Sequence, residues 1–128
     1  QYLNAQYDLV RVKLPPRFWE LVLGQVVVVA IPEEVFYRGY LLGRLEEALP
    51  SPRRWLGVPV GWPILLQAGL FGLGHFLIDW NPLRLVVALP ALLFAALRTW
   101  GGGNLVAPVL FHASANLLVQ VVDRSFFP

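Results

Sequence analysis

Four apolar runs alternate with short polar stretches along this chain, and their lengths predict four membrane-crossing helices. They cover residues 18–45, 62–78, 85–97 and 105–122. About 20 apolar residues span the hydrocarbon core of a bilayer; the third run, interrupted by Pro90, is short enough to be tilted, bent or partly shielded by protein. Pro32 lies inside the first run and predicts a kink there, because proline removes one helical hydrogen bond. Residues 46–61 carry Glu46, Glu47, three prolines, Arg53 and Arg54 and read as a polar connection rich in turn chemistry. The glycines and Asn104 of residues 100–104 read as a tight connection rather than a gate. Residues 1–17, with Arg11, Lys13, Arg17 and Pro15-Pro16, read as an amphipathic surface segment, and residues 123–128 as a tail. The expected architecture is an all-α, multi-pass transmembrane helical bundle with its core at residues 18–122.

Composition supports that pattern. Of 128 residues, 57% are hydrophobic and 14% charged, against roughly 25% charged in an average soluble protein. All five tryptophans, Trp19, Trp55, Trp62, Trp80 and Trp100, fall at or just beyond the ends of the apolar runs, where an interfacial belt places them. The net charge of +2 comes from basic residues scattered over those ends, with no block or stripe, so nucleic acid is not an expected partner. Five basic residues on one side (Arg11, Lys13, Arg17, Arg84, Arg124) against four on the other (Arg44, Arg53, Arg54, Arg98) give no orientation. Cysteine is absent, which removes disulfides and any thiolate nucleophile. Methionine is absent too, position 1 included, as expected of a piece of a longer chain with further spans before it. No signal-peptide pattern opens the sequence.

The chemistry concentrates at Pro32-Glu33-Glu34-Val35-Phe36-Tyr37-Arg38, in the middle of the first run. An ionised side chain at mid-membrane costs roughly 2.5–3.5 kcal/mol even on the lenient insertion scale, so such groups are paired, protonated or in a water-filled cavity. Glu34 and Arg38, four apart, share a helix face and can pair; Glu33 points about 100° away and is left free. Desolvation favours the neutral form of an unpaired carboxyl, which is how a glutamate becomes a usable general base. The plainer alternative is a buried ion-pair cluster that locks helices together.

Both histidines also lie at membrane depth. His75 sits in Phe71-Gly72-Leu73-Gly74-His75, where glycines admit a close neighbour, and His112 shares a face with Asn116 four residues on. Each of these three residues could instead be an interhelical hydrogen-bonding group. The combination argues otherwise: Glu33, Glu34, Arg38, His75, His112 and Asn116 come from three runs, and groups that costly should converge on one polar cavity. Two histidines and a glutamate are also zinc-ligand types, but no H-E-x-x-H pair is present and the three come from separate helices. No cofactor is expected, with zinc as the alternative.

Taken in order, Glu-Glu-x-x-x-Arg at 33–38, Phe-x-x-x-His at 71–75 and His-x-x-x-Asn at 112–116 resemble the three signature motifs of the CPBP family. That family contains the CAAX prenyl proteases and the bacteriocin-processing and self-immunity proteins, also called Abi. Gly103-Asn104 and Pro108 are similar to its third-motif neighbourhood, and the resemblance covers roughly residues 30–122. It implies an intramembrane endopeptidase of glutamate type, formerly thought metal-dependent. Glu33 with His75 would activate a water, His112 and Asn116 would stabilise the oxyanion, and Glu34 with Arg38 would support them. It further implies a peptide or protein substrate at the membrane and a place in a prokaryotic cytoplasmic membrane, without implying prenyl specificity. Two other readings use the same residues: a non-catalytic peptide-binding immunity or chaperone-like membrane protein, and a proton or ion pathway. No continuous polar relay leads from the cluster to either surface, which counts against the pathway.

Overall fold

The computed structural model describes residues 14–126, so most of the expected N-terminal segment and the last two residues of the tail lie outside the described residues. Helix α1, residues 18–48, is one continuous rod of mixed winding. Phe18–Gly24, Ile31–Glu34 and Leu42–Ala48 are α-helical; Gln25–Ala30 and Val35–Leu41 are π-wound. In the wide turns the Ile31 N–H reaches back to the Val26 carbonyl and the Leu42 N–H to that of Tyr37. Pro32, where a kink is expected, lies in a four-residue α-helical piece that carries the acidic pair, with wide windings on either side, and the helix runs through the proline. Such windings re-aim side chains and recur at functional sites.

Helix α2 spans Trp62–Asp79. A 3₁₀ turn at Pro82–Val87, capped by the Asn81 carboxamide accepting from the Leu83 N–H at 3.0 Å, leads into α3, Ala88–Trp100. Helix α4, Val106–Phe126, is opened by Asn104, whose side chain accepts from the Val106 N–H at 2.7 Å. It runs four residues past its expected end at Val122. The all-α expectation misses one element, a hairpin between α1 and α2: β1, Arg53–Trp55, pairs antiparallel with β2, Val58–Val60. Its two-residue turn has positive φ at Leu56 (49°) and Gly57 (81°), as the tightest hairpins require. The Trp100 indole N–H donates to the Leu56 carbonyl at 2.9 Å and ties the turn to the end of α3.

Helix α4 lies along the first half of α1, α2 along the second half, and α3 packs against both α2 and α4. The apolar core consists of three small clusters: Leu42, Val58, Ile64 and Ala95; Ala68, Phe71, Ala91 and Phe94; and Ala30, Val109 and Ala113. Small residues let the helices approach closely. At Gly72 a Cβ would stand 3.0 Å from the Leu85 carbonyl oxygen and 3.1 Å from the Ala88 Cβ, so glycine permits the contact between α2 and the start of α3.

Polarity is inverted relative to a water-soluble bundle. Glu34, Arg38, Gln67 and His112 are buried, while Val28, Leu77, Ile78, Leu89, Leu118 and Val119 face outward, and all five tryptophans are exposed. Two segments, Pro82–Trp100 and Val106–Phe126, are long and apolar enough to cross a membrane. An apolar shell around hydrogen-bonded backbone and paired charges is what a bilayer solvates.

Candidate active site

The mid-section of α1 places Glu33 and Glu34 in opposite surroundings. Glu34 and Arg38 form the predicted pair, Nη1 donating to Oε1 at 2.8 Å, with both side chains sealed from solvent. The guanidinium sits in the corner formed by two aromatic rings set edge to face, its carbon 4.3 Å from the Phe71 centroid and 4.8 Å from that of Phe94, and its Nη2 donates to the Ala91 carbonyl at 3.4 Å. Stacking on rings replaces part of the hydration that burial removes. The same Glu34 oxygen accepts from His112 Nδ1 at 2.8 Å, across 78 residues of sequence, and the His112 ring stacks on Phe94 at 5.0 Å.

His75 is held differently. Its Nδ1 lies 2.9 Å from the Phe71 carbonyl oxygen, one turn back on α2. A carbonyl and a paired carboxylate can only accept, so Nδ1 carries the proton in both rings and each Nε2 is free to act. Both Nε2 atoms are directed to one place: His75 Nε2 is 3.9 Å and His112 Nε2 3.7 Å from Glu33 Oε2. These gaps are too long for direct hydrogen bonds and suit a bridging water. Glu33 and His75 are 30% and 22% exposed against 4% for His112, so the cluster opens to its surroundings on one side and closes on the other. Gly74 makes room beside it, since a Cβ there would lie 2.8 Å from the Tyr37 hydroxyl.

The structure thus brings together Glu33, Glu34, Arg38, His75 and His112. Asn116 lies one turn further along α4, where its carboxamide nitrogen donates to Gln25 Oε1 at 3.0 Å. Gln25 was missed in the sequence, although it is the lone hydrogen-bonding side chain in the run LVLGQVVVVAI. Gln67 was missed as well: it is fully buried on α2, two turns before His75. Five buried polar atoms lack a protein partner among the described residues: Glu33 Oε2, Glu34 Oε2, Arg38 Nε and both amide atoms of Gln67. Buried polar groups are nearly always satisfied, so these atoms are the ones whose hydrogen-bonding capacity the described side chains leave open.

Zinc-ligand residue types are present, but among the described residues no group of three or more His, Cys, Asp or Glu side chains is placed to hold a metal ion. What the arrangement can do without one is hold a water against a carboxylate, with two oriented imidazoles beside it.

A family model described as type II CAAX prenyl endopeptidase Rce1-like matches residues 15–118, which takes in the whole cluster. No curated protein and no solved structure matches the chain.

Proposed function

Because this chain belongs to the type II CAAX prenyl endopeptidase Rce1-like family, and is thereby a membrane protease by family, we propose that it is a glutamate-type intramembrane endopeptidase acting on a membrane-associated protein. The observation that carries the reading is the approach of the two histidine Nε2 atoms, at 3.9 and 3.7 Å, to the unpaired Glu33 Oε2. In this reading all four helices cross the bilayer and the cluster lies at its middle.

A water between Glu33 and His75 gives a proton to the Glu33 carboxylate as its oxygen attacks the scissile carbonyl carbon. The carbonyl π electrons move onto the oxygen. His112 Nδ1–H donates to Glu34, and its Nε2, on taking up a proton from solvent as negative charge develops on the carbonyl oxygen, donates to the oxyanion. Asn116 has a second amide N–H beyond the one given to Gln25, and that N–H is the other oxyanion donor. Collapse of the intermediate breaks the C–N bond, and the proton held by Glu33 passes to the leaving amine. Glu34 with Arg38 does no proton transfer; it fixes the His112 ring.

The decisive experiment is a reconstituted cleavage assay on purified variants, normalised to folded protein. Glu33→Gln keeps the shape of the side chain and loses the base, so turnover should fall by roughly 10²–10⁴-fold with little change in melting or substrate binding. Glu34→Gln keeps an acceptor for Arg38 and His112 and should mainly lower stability. Near-normal turnover in Glu33→Gln would sink Glu33 as base. Binding without cleavage by the wild type, across substrates that a homologous protease cuts, would instead favour the peptide-binding immunity or chaperone-like reading. Activity lost to a chelator and restored by zinc would assign a metalloenzyme.

A further inference from the structure

The hairpin end of the bundle is built unlike the cluster at its centre. Beneath the hairpin lies an apolar cavity of about 330 Å³, whose walls include Trp55, Leu56, Val60, Leu65, Leu92 and Trp100. A second cavity, of about 420 Å³, contains Pro52 and Arg53 and shares Val60 and Leu65 with the first, so the two adjoin. One chamber is hydrocarbon-lined and its neighbour presents a cation. Tryptophans at the apolar rim are what the level of lipid headgroups selects.

Charge at this end is not balanced. Arg44 pairs with Glu47 and Arg98 with Glu46, which uses both nearby glutamates. Among the described residues no carboxylate pairs with Arg53 or Arg54, and the Arg54 guanidinium is turned to the Gly57 carbonyl at 3.0 Å. Arg53 is exposed on β1 and, among the described residues, has no side-chain partner. A ligand that satisfies both chambers has an anionic group joined to a hydrocarbon chain.

We propose that the hairpin end binds one anionic phospholipid, its phosphate on Arg53 and one acyl chain in the apolar cavity under Leu56. Bound there, the lipid bridges β1, β2, the start of α2 and the last turns of α3. It therefore stabilises the part of the fold that short strands hold least well.

The test is native mass spectrometry of the purified chain in detergent, titrated with phosphatidylglycerol or phosphatidylcholine of identical acyl chains. The wild type should retain phosphatidylglycerol more tightly. Arg53→Gln should weaken phosphatidylglycerol about fivefold, the factor that corresponds to ~1 kcal/mol per basic residue at an anionic surface, and leave phosphatidylcholine unchanged. Leu56→Asn, which suits the positive φ of the turn and removes an apolar wall, should weaken both lipids. Equal retention of the two lipids by the wild type overturns the proposal, and needs no variant to fold. Phosphatidylglycerol binding untouched by Arg53→Gln also overturns it. Inorganic phosphate that competes as well as the lipid would assign a plain anion site, and displacement by a farnesylated peptide would assign the cavity to substrate hydrocarbon; either result sinks the lipid.

Discussion

Two carboxylate–guanidinium pairs in this molecule have nearly equal bond lengths and opposite surroundings. Glu34 and Arg38 meet at 2.8 Å with no solvent exposure; Asp79 and Arg84 meet at 3.0 Å at the turn between α2 and α3, with side chains 38% and 52% exposed. Distance does not separate them; surroundings do. Burial strips both ions of water, a cost of several kcal/mol each, and Phe71, Phe94, the Ala91 carbonyl and His112 compensate for it. A pair so expensive is poor evidence for stability in itself. What it supplies is a fixed carboxylate oxygen for His112 Nδ1, which, with the Phe94 ring stacked on the imidazole, sets the direction of Nε2. The exposed pair is solvated in both states and holds only a turn.

The sharpest way to break this contrast is to remove Arg38. Arg38→Ala leaves the Glu34 carboxylate buried without its cation and empties the space against Phe71 and Phe94, which should cost about 3–5 kcal/mol. Folded yield and thermal midpoint of the purified protein measure it. A variant as stable and as active as the wild type would show that burial confers no special weight on the pair.

Next comes a contact of intermediate burial and no charge, Asn116 with Gln25. Interhelical amide bonds at membrane depth average about 0.6 kcal/mol, so Gln25→Leu should move the melting midpoint little. If Gln25 positions Asn116 as an oxyanion donor, turnover should fall in Gln25→Leu with KM unchanged, and Asn116→Ala should lose roughly 10²–10³-fold in kcat. Equal kcat in the wild type and both variants would confine this pair to helix packing.

The three contacts also mark how far the sequence could be read. The Glu34–Arg38 pair follows from four-residue spacing, and the four helices lie where the apolar runs do, because hydropathy and local period set both. The placing of His75 and His112 against Glu33 was expected from the cost of polar groups at depth, without coordinates. Other features depend on which helices become neighbours. Nothing local tells His112 to use Glu34 rather than Glu33, or sets Phe71 and Phe94 against Arg38. The π windings came from no visible signal: Val26 to Val29 are apolar on every face, and in Val35–Leu41 Arg38 is the lone charged residue, so neither wide turn displaces a polar stripe that the sequence would show. The hairpin hides because Arg53-Arg54-Trp55 and Val58-Pro59-Val60 are three residues each, one with a proline, joined by Leu-Gly instead of a recognised turn pair. Gln25 and Gln67 passed unnoticed because a single amide barely alters the hydropathy of a long run.

The smallest expected effect belongs to the exposed pair, and pH exposes its nature. The hydrogen bond from Arg84 holds the Asp79 carboxyl below its ordinary value, helped by the Asn81 backbone N–H at 3.2 Å. A carboxyl depressed in the folded state contributes stability above the unfolded carboxylate pKa, about 3.9, and loses it as pH falls through the lower folded value. Asp79→Asn removes that contribution. At neutral pH the variant should therefore melt only slightly below the wild type, and the two should converge as pH falls below about 4. High salt should shrink the neutral-pH gap further, because both side chains are reached by solvent ions. Thermal midpoints of the two proteins, measured from pH 7 to pH 3 at low and high salt, give both readings. A gap as large as that of Arg38→Ala, or one that grows as the solution is acidified, would show that the turn between α2 and α3 depends on its ion pair as the core does.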